Sequence, residues 1–240
     1  MPASQQPPFT IAVIVAGTNE PSNSSTLADA FIEGMQKMPG AAVVKVLLKD
    51  MNIRHFTLEY YHSQCPPEDD FCRLQDLLTK ASGIVIASPI WNFSVPAHLK
   101  NFIDRVGAFA LDETTHSKGQ LNAKPFTLLY TGGAPMIAWK ALMYLTLLHV
   151  SEAIKYYGGT VVYRHFEPRC MPEKGVFGLV VNKRPATLDL MHKKGEWFAG
   201  LVQHYAENGT LPLTTRLGYK FFSFLYRVGN RIMYPISTLQ

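Results

Sequence analysis

The stretch "GIVIASPIWNFSVPAHLKNFIDR", residues 83–105, decides the fold because it places a strand, a turn and a helix in close succession. Its first half is a continuous apolar run, which is typical of a strand buried on both faces. Pro89 ends that strand, and Pro96 stands where the first turn of a helix tolerates proline. Trp91 and Asn92 lie between the two prolines, where a plain connection needs no large aromatic ring. The stretch predicts a parallel strand with its crossover helix, joined by a turn that does more than connect them.

The same alternation continues along the whole chain. Further buried strands are predicted at "IAVIVAG", "AAVVKVLLKD", "PFTLLYTGG" and "TVVYRHF". Helical patterns separate them, at "TLADAFIEGMQKM", "DDFCRLQDLLTKA", "MIAWKALMYLTLLHVSEAIKYYGG" and "ATLDLMHKKGEWFAGLVQHYAENG". Parallel strands need such crossovers and bury both faces. We therefore expect an α/β fold: a five-stranded parallel sheet with helices on both faces over residues 1–210, then a C-terminal extension over residues 211–240.

Composition excludes several classes of protein. The chain has 240 residues, 47% hydrophobic, and a formal net charge of +5 that is scattered until residue 216, which argues against nucleic-acid binding. The first ten residues lack the pattern of a signal peptide, and no stretch reaches the roughly 18 uninterrupted apolar residues of a membrane span. Cys65, Cys72 and Cys170 favour plain thiols, with a redox pair or metal site as the alternative for the first two. Three cysteines fit a reducing compartment, so we expect a cytoplasmic protein.

The extension does not follow the strand–helix alternation. Aromatic and apolar side chains alternate there with Arg216, Lys220, Arg227 and Arg231. Three interpretations stay open: packing on a partner subunit, folding back on the domain, and contact with an anionic membrane surface.

Three loops stand after strands, and ligands of open parallel sheets bind outside the carboxyl ends of the strands. The first, "GTNEPSNSSTLA" at residues 17–28, combines hydroxyls with the free N–H groups of a helix start, which favours a phosphate cradle without a basic residue. The alternative is a Ser-rich N-cap. The second is the turn after Pro89, where the strand ends and the following N–H groups are expected to be unpaired, Trp91 offers a flat face and Asn92 an amide. Trp91 and Phe93 as core or interface aromatics are the alternative there.

The third loop is "YTGGAP", residues 130–135, where two glycines let the backbone approach a ligand closely. Taken together, the three loops indicate one ligand with a phosphate at one end and a flat polar ring at the other. Flavin mononucleotide (FMN) meets that description, and the turn at residues 89–94 would then cradle the ring edge.

The same loops carry a resemblance to a known family. Over about residues 10–205 the chain resembles the flavodoxin-like NAD(P)H-dependent FMN reductases, the superfamily of azoreductases and quinone oxidoreductases. The resemblance rests on "GTNEPSNSSTLA", on "TGGAP" and above all on "SPIWNFSVPAHLKNFIDRV". It implies the sheet order 2-1-3-4-5. It also implies flavin-binding residues in each loop: Thr18, Asn19, Ser22, Ser24 and Ser25; Pro89, Ile90, Trp91, Asn92 and Phe93; Thr131, Gly132 and Gly133.

The implied activity is transfer of hydride from NADPH or NADH through flavin N5 to a quinone, azo, nitro or flavin acceptor. No catalytic side chain and no metal is expected, because the cofactor carries the chemistry. The implied cofactor is FMN, with FAD as the alternative, and the implied partners are a small-molecule acceptor and further copies of the chain in a homodimer or homotetramer. A flavin-binding electron carrier or flavin-sensing interaction protein without turnover is the rival, since fold alone does not fix function.

Several residues depart from the family pattern. Asn19 and Glu20 stand where relatives often carry an arginine, and Glu20 adds negative charge near the path of the pyridine nucleotide. Where relatives often place an aromatic over the flavin, the stretch from residue 109 to 121 offers Phe109. His116, in the loop after the third helix, is a candidate for lining the acceptor site, with an ordinary loop position as the alternative. Lys100 and Asp104 match the pattern and are expected to stabilise the helix and a dimer.

Overall fold

Five parallel strands form the centre of the molecule. The computed structural model describes residues 9–62, 65–66 and 68–216. The strands are β1 (Phe9–Val15), β2 (Ala41–Leu47), β3 (Gly83–Pro89), β4 (Pro125–Thr131) and β5 (Thr160–Glu167). They pair in the order β2-β1-β3-β4-β5, every pair parallel. The predicted flavodoxin-like sheet and its order are confirmed.

Helices cover both faces of the sheet. On one face, α1 (Asn23–Met35) and α7 (Pro185–Asn208) pack against each other and bury a core that includes Val13, Val85 and Leu129. On the other face lie α2 (Phe71–Lys80), α3 (Ala97–Ala110) and the helical stretch between β4 and β5. Alternate residues of each strand feed the two cores, which explains why the strand sequences are apolar throughout.

The helical stretch between β4 and β5 is broken, although its sequence predicts one long helix. It consists of α4 (Met136–Ala138), a π-helical turn (Trp139–Met143), α5 (Tyr144–Thr146) and α6 (Leu148–Tyr156). The Trp139 ring stacks on Phe166 of β5 with centroids 4.2 Å apart, and the Thr146 hydroxyl donates to the carbonyl of Phe93 at 2.6 Å. These tertiary contacts replace regular helix geometry at the break.

The irregular section before α2 is held by a buried ion pair. Asp69 and Arg105, both about 1% exposed, approach to 2.6 Å, and Asp69 also accepts from the N–H of Phe71. Asp70, the N-cap residue of α2, makes no side-chain capping bond and accepts instead from the N–H of Asn52.

Cys65 and Cys72 form a disulfide, so the prediction of plain thiols is wrong for this pair. Cys170 is free and buried. The cysteine content therefore no longer supports the expected reducing compartment.

Among the described residues, no helix combines the length and apolar character needed to cross a bilayer. Leu211, the first residue of the expected extension, is buried. Residues 217–240 lie outside the described part of the chain, so the three interpretations of the extension stay open, as does the division into residues 1–210 and 211–240.

Candidate functional site

A pocket opens at the carboxyl ends of the strands, where the three predicted loops meet. Its empty volume is about 500 Å³ when the solvent-filled mouth is included. Most of the predicted residues line it: Thr18, Asn19, Ser22, Ser24, Pro89, Ile90, Trp91, Thr131, Gly132 and Gly133. The structure therefore brings together residues that are more than 100 positions apart in the sequence, from Thr18 to Gly133.

The first loop is built around two serine hydroxyls. Ser22 is the N-cap of α1, and its Oγ accepts from the N–H of Ser25 at 3.3 Å. Ser22 Oγ and Ser24 Oγ lie 3.1 Å apart, and both would lie 2.4 Å from a Cβ at Gly17. Only glycine at position 17 leaves room for this hydroxyl pair. The N-cap and cradle interpretations are therefore compatible, because Ser22 is the N-cap and also lines the pocket.

Free backbone donors complete the cradle. The first turn of a helix leaves its N–H groups without intrahelical partners. Ser25 and Thr26 N–H are satisfied by Ser22, whereas Asn23 and Ser24 N–H have no acceptor among the described residues. The lining contains no Lys or Arg, so donors and the helix dipole are the groups that suit an anion there.

Two residues of this loop differ from expectation. Ser25 does not line the pocket; its Oγ accepts from Lys45 Nζ at 2.8 Å, which places it on the outer side of α1. Glu20 pairs with Lys49 at 2.6 Å. Hydrogen bonds to Asp50 and, after it, to Glu20 raise the pKa of Lys49 to about 12. The negative charge expected of Glu20 near the nucleotide path is thus matched by a neighbouring cation.

The second loop is a tight turn. Trp91 and Ser94 exchange two backbone hydrogen bonds, each 2.9 Å long. Asn92 and Phe93 between them have φ values of 49° and 67°, so both occupy the left-handed region, as a type I′ turn requires. A phenylalanine in that region carries strain of about 1 kcal/mol or more, of the kind that clusters at functional sites.

The free donors of this turn differ from those predicted. The N–H groups after Pro89 were expected to be unpaired, but Ile90 donates to Thr131 and Trp91 to Ser94. Asn92 and Phe93 N–H have no acceptor among the described residues. Both residues are exposed at the tip of the turn and outside the pocket lining, so their contact with a ring stays a prediction.

The third loop uses its glycines differently from the prediction. Gly132 N–H already donates to Glu167 at 3.1 Å. A Cβ at Gly132 would lie 3.0 Å from the Phe166 ring, and one at Gly133 would lie 2.4 Å from Met171 Sδ. The glycines therefore admit the chain's own side chains, and because both also line the pocket, their contact with a ligand stays a prediction. Thr131 is buried in this wall.

Five residues that line the pocket were not among the predicted ones: Gly17, Asn23, Cys170, Met171 and Phe177. The last three belong to residues 168–184, which we call the β5–α7 segment. A signal was present, because the segment follows the carboxyl end of a strand and so starts at the ligand-binding edge.

Charged groups beside the pocket anchor this segment. Glu167 is 5% exposed and accepts from His165 at 3.1 Å and from Arg184. Burial alone would raise the pKa of Glu167, but these hydrogen bonds outweigh it and hold the pKa below its ordinary value. Burial raises the pKa of the Cys170 thiol to about 11, so this side chain is no thiolate nucleophile at neutral pH.

Two other expected residues lie elsewhere. His116 packs against Tyr61, with ring centroids 4.6 Å apart, beyond the C-terminal end of α3 and outside the pocket lining. Phe109 packs on Phe71 at 6.0 Å in the core beneath α2. Neither can contact a ligand in this pocket. Lys100 and Asp104 pair within α3 at 2.5 Å, as expected for stabilising the helix; a dimer role stays a prediction.

The residues present fit FMN. The hydroxyl pair that a Cβ at Gly17 would displace, with free N–H groups beside it, suits a phosphate, and Trp91 on the adjoining wall suits a flat ring. Within the described residues, no group of His, Cys, Asp and Glu could hold a metal ion.

Comparison with known proteins agrees with this geometry. The family model described as NADPH-dependent FMN reductase matches residues 9–163. The chain is similar to the FMN-dependent NADH:quinone oxidoreductase of Mycoplasma genitalium, with 29% identity over 197 residues, or 75% of this chain and 94% of the relative.

Two solved structures share the fold. The NAD(P)H:quinone oxidoreductase from Methanothermobacter marburgensis has a TM-score of 0.62 at 19% identity, over 80% of this chain and 96% of that chain. An FMN-dependent NADH-azoreductase from Bacillus anthracis, in complex with FMN, has a TM-score of 0.59 at 15% identity, over 80% and 98%. At these identities the structures support the architecture and not the chemistry.

Proposed function

This chain belongs to the NADPH-dependent FMN reductase family, and from that premise we propose that it is an FMN-dependent NAD(P)H oxidoreductase acting on small electron-poor acceptors. Quinones, azo compounds, nitro compounds and free flavins form the acceptor class. The observation that carries the proposal is the cradle at Gly17, where Ser22, Ser24 and unpaired N–H groups converge beside Trp91.

Each wall of the pocket has its own task in this proposal. Ser22 and Ser24 would hold the phosphate by hydroxyl donation, and Asn23 by its backbone N–H. The turn at residues 89–94 would hold the ring, with Trp91 limiting the access of water. When bound, FMN would supply the redox chemistry, which is acceptance of hydride from a nicotinamide and transfer of electrons to an acceptor.

The protein's own contribution is binding and orientation. The turn is fixed from two sides, by the Trp91–Ser94 pair and by the Thr146 hydroxyl on the Phe93 carbonyl. This leaves the free N–H groups of Asn92 and Phe93 in a defined direction, and such donors tune the electron affinity of a bound ring.

A spectroscopic titration tests the proposal. Purified protein is loaded with FMN, and the flavin absorbance is followed on anaerobic addition of NADH or NADPH, then of a quinone. We expect bleaching by at least one nucleotide and recovery with the quinone. Bound FMN that ignores both nucleotides supports the rival, an electron carrier without turnover, and no bound flavin at all refutes both.

A further inference from the structure

The β5–α7 segment forms a fourth wall of the pocket that the family match does not include. The match ends at residue 163, before the end of β5, and the segment covers residues 168–184. Cys170, Met171 and Phe177 line the pocket from it. The three loops shared with the family form the other walls.

A single amide clamps this wall to the first loop. Asn23 Oδ1 accepts from the N–H groups of Val180 and Val181, at 2.8 and 3.0 Å. Asn23 Nδ2 donates to the carbonyl of Gly178 at 2.8 Å and to that of Cys170 at 3.4 Å. The amide oxygen of Asn23 thus accepts two hydrogen bonds from the segment and its amide nitrogen donates two. These four bonds use every donor and acceptor position of an asparagine amide.

The segment is also tied to the third loop and to its own ends. Cys170 N–H donates to Gly132 at 2.9 Å, and Arg169 N–H to Ala134 at 3.0 Å. Arg184 donates to the carbonyls of Pro168 and Arg169, at 2.7 and 2.8 Å. These bonds fix the segment as a wall whose position depends on both neighbouring loops.

Phe177 is the residue that this wall presents to an incoming molecule. Its side chain lines the pocket and is nevertheless 74% exposed, which places it at the mouth. Trp91 lines the same pocket from the second loop. Two large aromatic side chains on separate walls favour a flat apolar molecule, because ring contacts add about 0.5–1.5 kcal/mol to area burial.

We propose that Phe177 determines acceptor specificity at the pocket mouth, selecting flat quinoid or aromatic acceptors, and that Asn23 is the positioning residue that holds Phe177 there. This inference rests on the proposed function for its substrate class. The clamp itself is independent of any cofactor.

The first experiment tests whether Phe177 contacts the acceptor or is only an exposed surface side chain. Phe177→Ala and Phe177→Leu are loaded with FMN and assayed with a flat acceptor, a naphthoquinone, and a non-aromatic one, ferricyanide. For Phe177→Ala we expect KM for the naphthoquinone to rise about three- to tenfold, with Phe177→Leu in between, and KM for ferricyanide and the Kd of FMN to stay within about twofold. Leu58→Ala is the matched control, since Leu58 is also 74% exposed and lies outside the pocket. An equal KM in Phe177→Ala and Leu58→Ala, or an equal rise for both acceptors, overturns the assignment.

The second experiment tests the clamp without cofactor. Trypsin cleavage after Lys174, inside the segment, is followed by mass spectrometry in the flavin-free protein. We expect Asn23→Ala to speed this cleavage about tenfold or more, because four hydrogen bonds lose their side-chain partner. Asn208→Ala, which removes an exposed amide at the end of α7, should cleave like wild type.

Asn23→Asp is a more conservative variant, which keeps the test usable if Asn23→Ala does not fold. It keeps the acceptor for Val180 and Val181 but cannot donate to Gly178 or Cys170, so cleavage should be intermediate. A wild-type cleavage rate in both variants, with circular dichroism unchanged, overturns the clamp. If wild type binds no FMN, the proposed function fails while the proteolysis result stands; if FMN turns over and Phe177→Ala is indistinguishable from Leu58→Ala, the function stands and this inference fails.

Discussion

Gly17 shapes the proposed phosphate cradle through the side chain that it lacks. Ser22 Oγ and Ser24 Oγ occupy the space where a Cβ would be, and the hydroxyls are held by each other and by the N-cap bond. The binding groups are therefore arranged before any ligand arrives. Pre-organised donors lower the cost of binding because they need no ordering.

Gly17→Ala should accordingly weaken FMN binding without unfolding the protein. The new methyl group forces the two hydroxyls away, so we expect the Kd of FMN, from fluorescence quenching, to rise by about tenfold or more. Gly200→Ala serves as the control, because its Cβ meets only the flexible end of Met38 at 3.2 Å. Wild-type affinity in Gly17→Ala would remove Ser22 and Ser24 from the phosphate site.

The ionised Glu167 side chain, which anchors the β5–α7 segment, makes the stability of the protein depend on pH. Its pKa is lower in the folded chain than the ordinary value of 4.5, because hydrogen bonds from His165 and Arg184 outweigh burial. The unfolded chain then binds more protons around and below pH 4.5, so the contribution of Glu167 to stability is present above that pH and is lost as pH falls.

Urea unfolding at pH 7 and pH 4 measures this contribution. We expect the loss of stability between the two values to be larger in wild type than in Glu167→Gln, which cannot ionise. Glu207→Gln, at an exposed position of α7, should keep the wild-type response. Identical acid responses in wild type and Glu167→Gln would contradict the assignment.

For single residues, the sequence predicted which side chains lie at the site better than it predicted the residues that they contact. Ser22 and Ser24 were identified because hydroxyls at the start of a helix are typical of capping and of anion binding. Ser25, in the same run, turned out to serve Lys45, and Gly132 and Gly133 to admit Phe166 and Met171. Such partners come from strands and segments far along the chain, which local pattern cannot supply.

Among the helices, α1 and α7 make the closest contact. A Cβ at Gly34 would lie 2.0 Å from the carbonyl oxygen of His192, and one at Gly195 would lie 2.1 Å from that of Phe31. The two glycines let the helix backbones meet directly. This crossing sets the position of the N-terminus of α1, where the cradle is built.

Gly34→Ala should therefore destabilise the fold despite the better helix propensity of alanine. The clash is with backbone, which cannot rotate away, so we expect a net loss of about 1–3 kcal/mol in urea unfolding. Gly200→Ala, in α7 but against a flexible side chain, should gain from propensity by up to about 1 kcal/mol. Equal stability of Gly34→Ala and wild type would show that the helices can separate at little cost.

Periodicity predicted the existence of each helix and strand but not their interruptions. The stretch before β5 reads as one helix because its apolar residues recur at helical spacing. Its π-helical turn at Trp139–Met143 lies where Trp139 stacks on Phe166, and its break at Leu147 follows Thr146, which is bonded to Phe93. Both contacts are tertiary, so the break could not be seen in the local sequence.

At the scale of the whole molecule, the alternation of strands and helices predicts the parallel sheet, and the family resemblance supplies its order. The β5–α7 segment was missed because its only regular element is a single 3₁₀ turn at Val181–Lys183, which gave no periodic signal. The disulfide between Cys65 and Cys72 was missed for a related reason: the pair is brought together by the turn around Asp69, whose shape depends on Arg105 of α3.

The part of the extension at residues 217–240 leads to the last prediction. It carries Lys220, Arg227 and Arg231, no acidic residue, and many aromatic and apolar side chains, a composition that favours contact with another surface. The described domain also exposes apolar side chains on one helical stretch, with Ile137 78% and Leu145 62% exposed. We expect the full chain to form a homodimer or homotetramer through the extension, so that truncation after Arg216 lowers the mass measured by light scattering. The comparison variant is the full chain with Ile137→Asp and Leu145→Asp. If the mass falls only in this variant, the contact is made by the helical stretch that carries Ile137 and Leu145. If the mass is unchanged after truncation, the extension is not part of the interface.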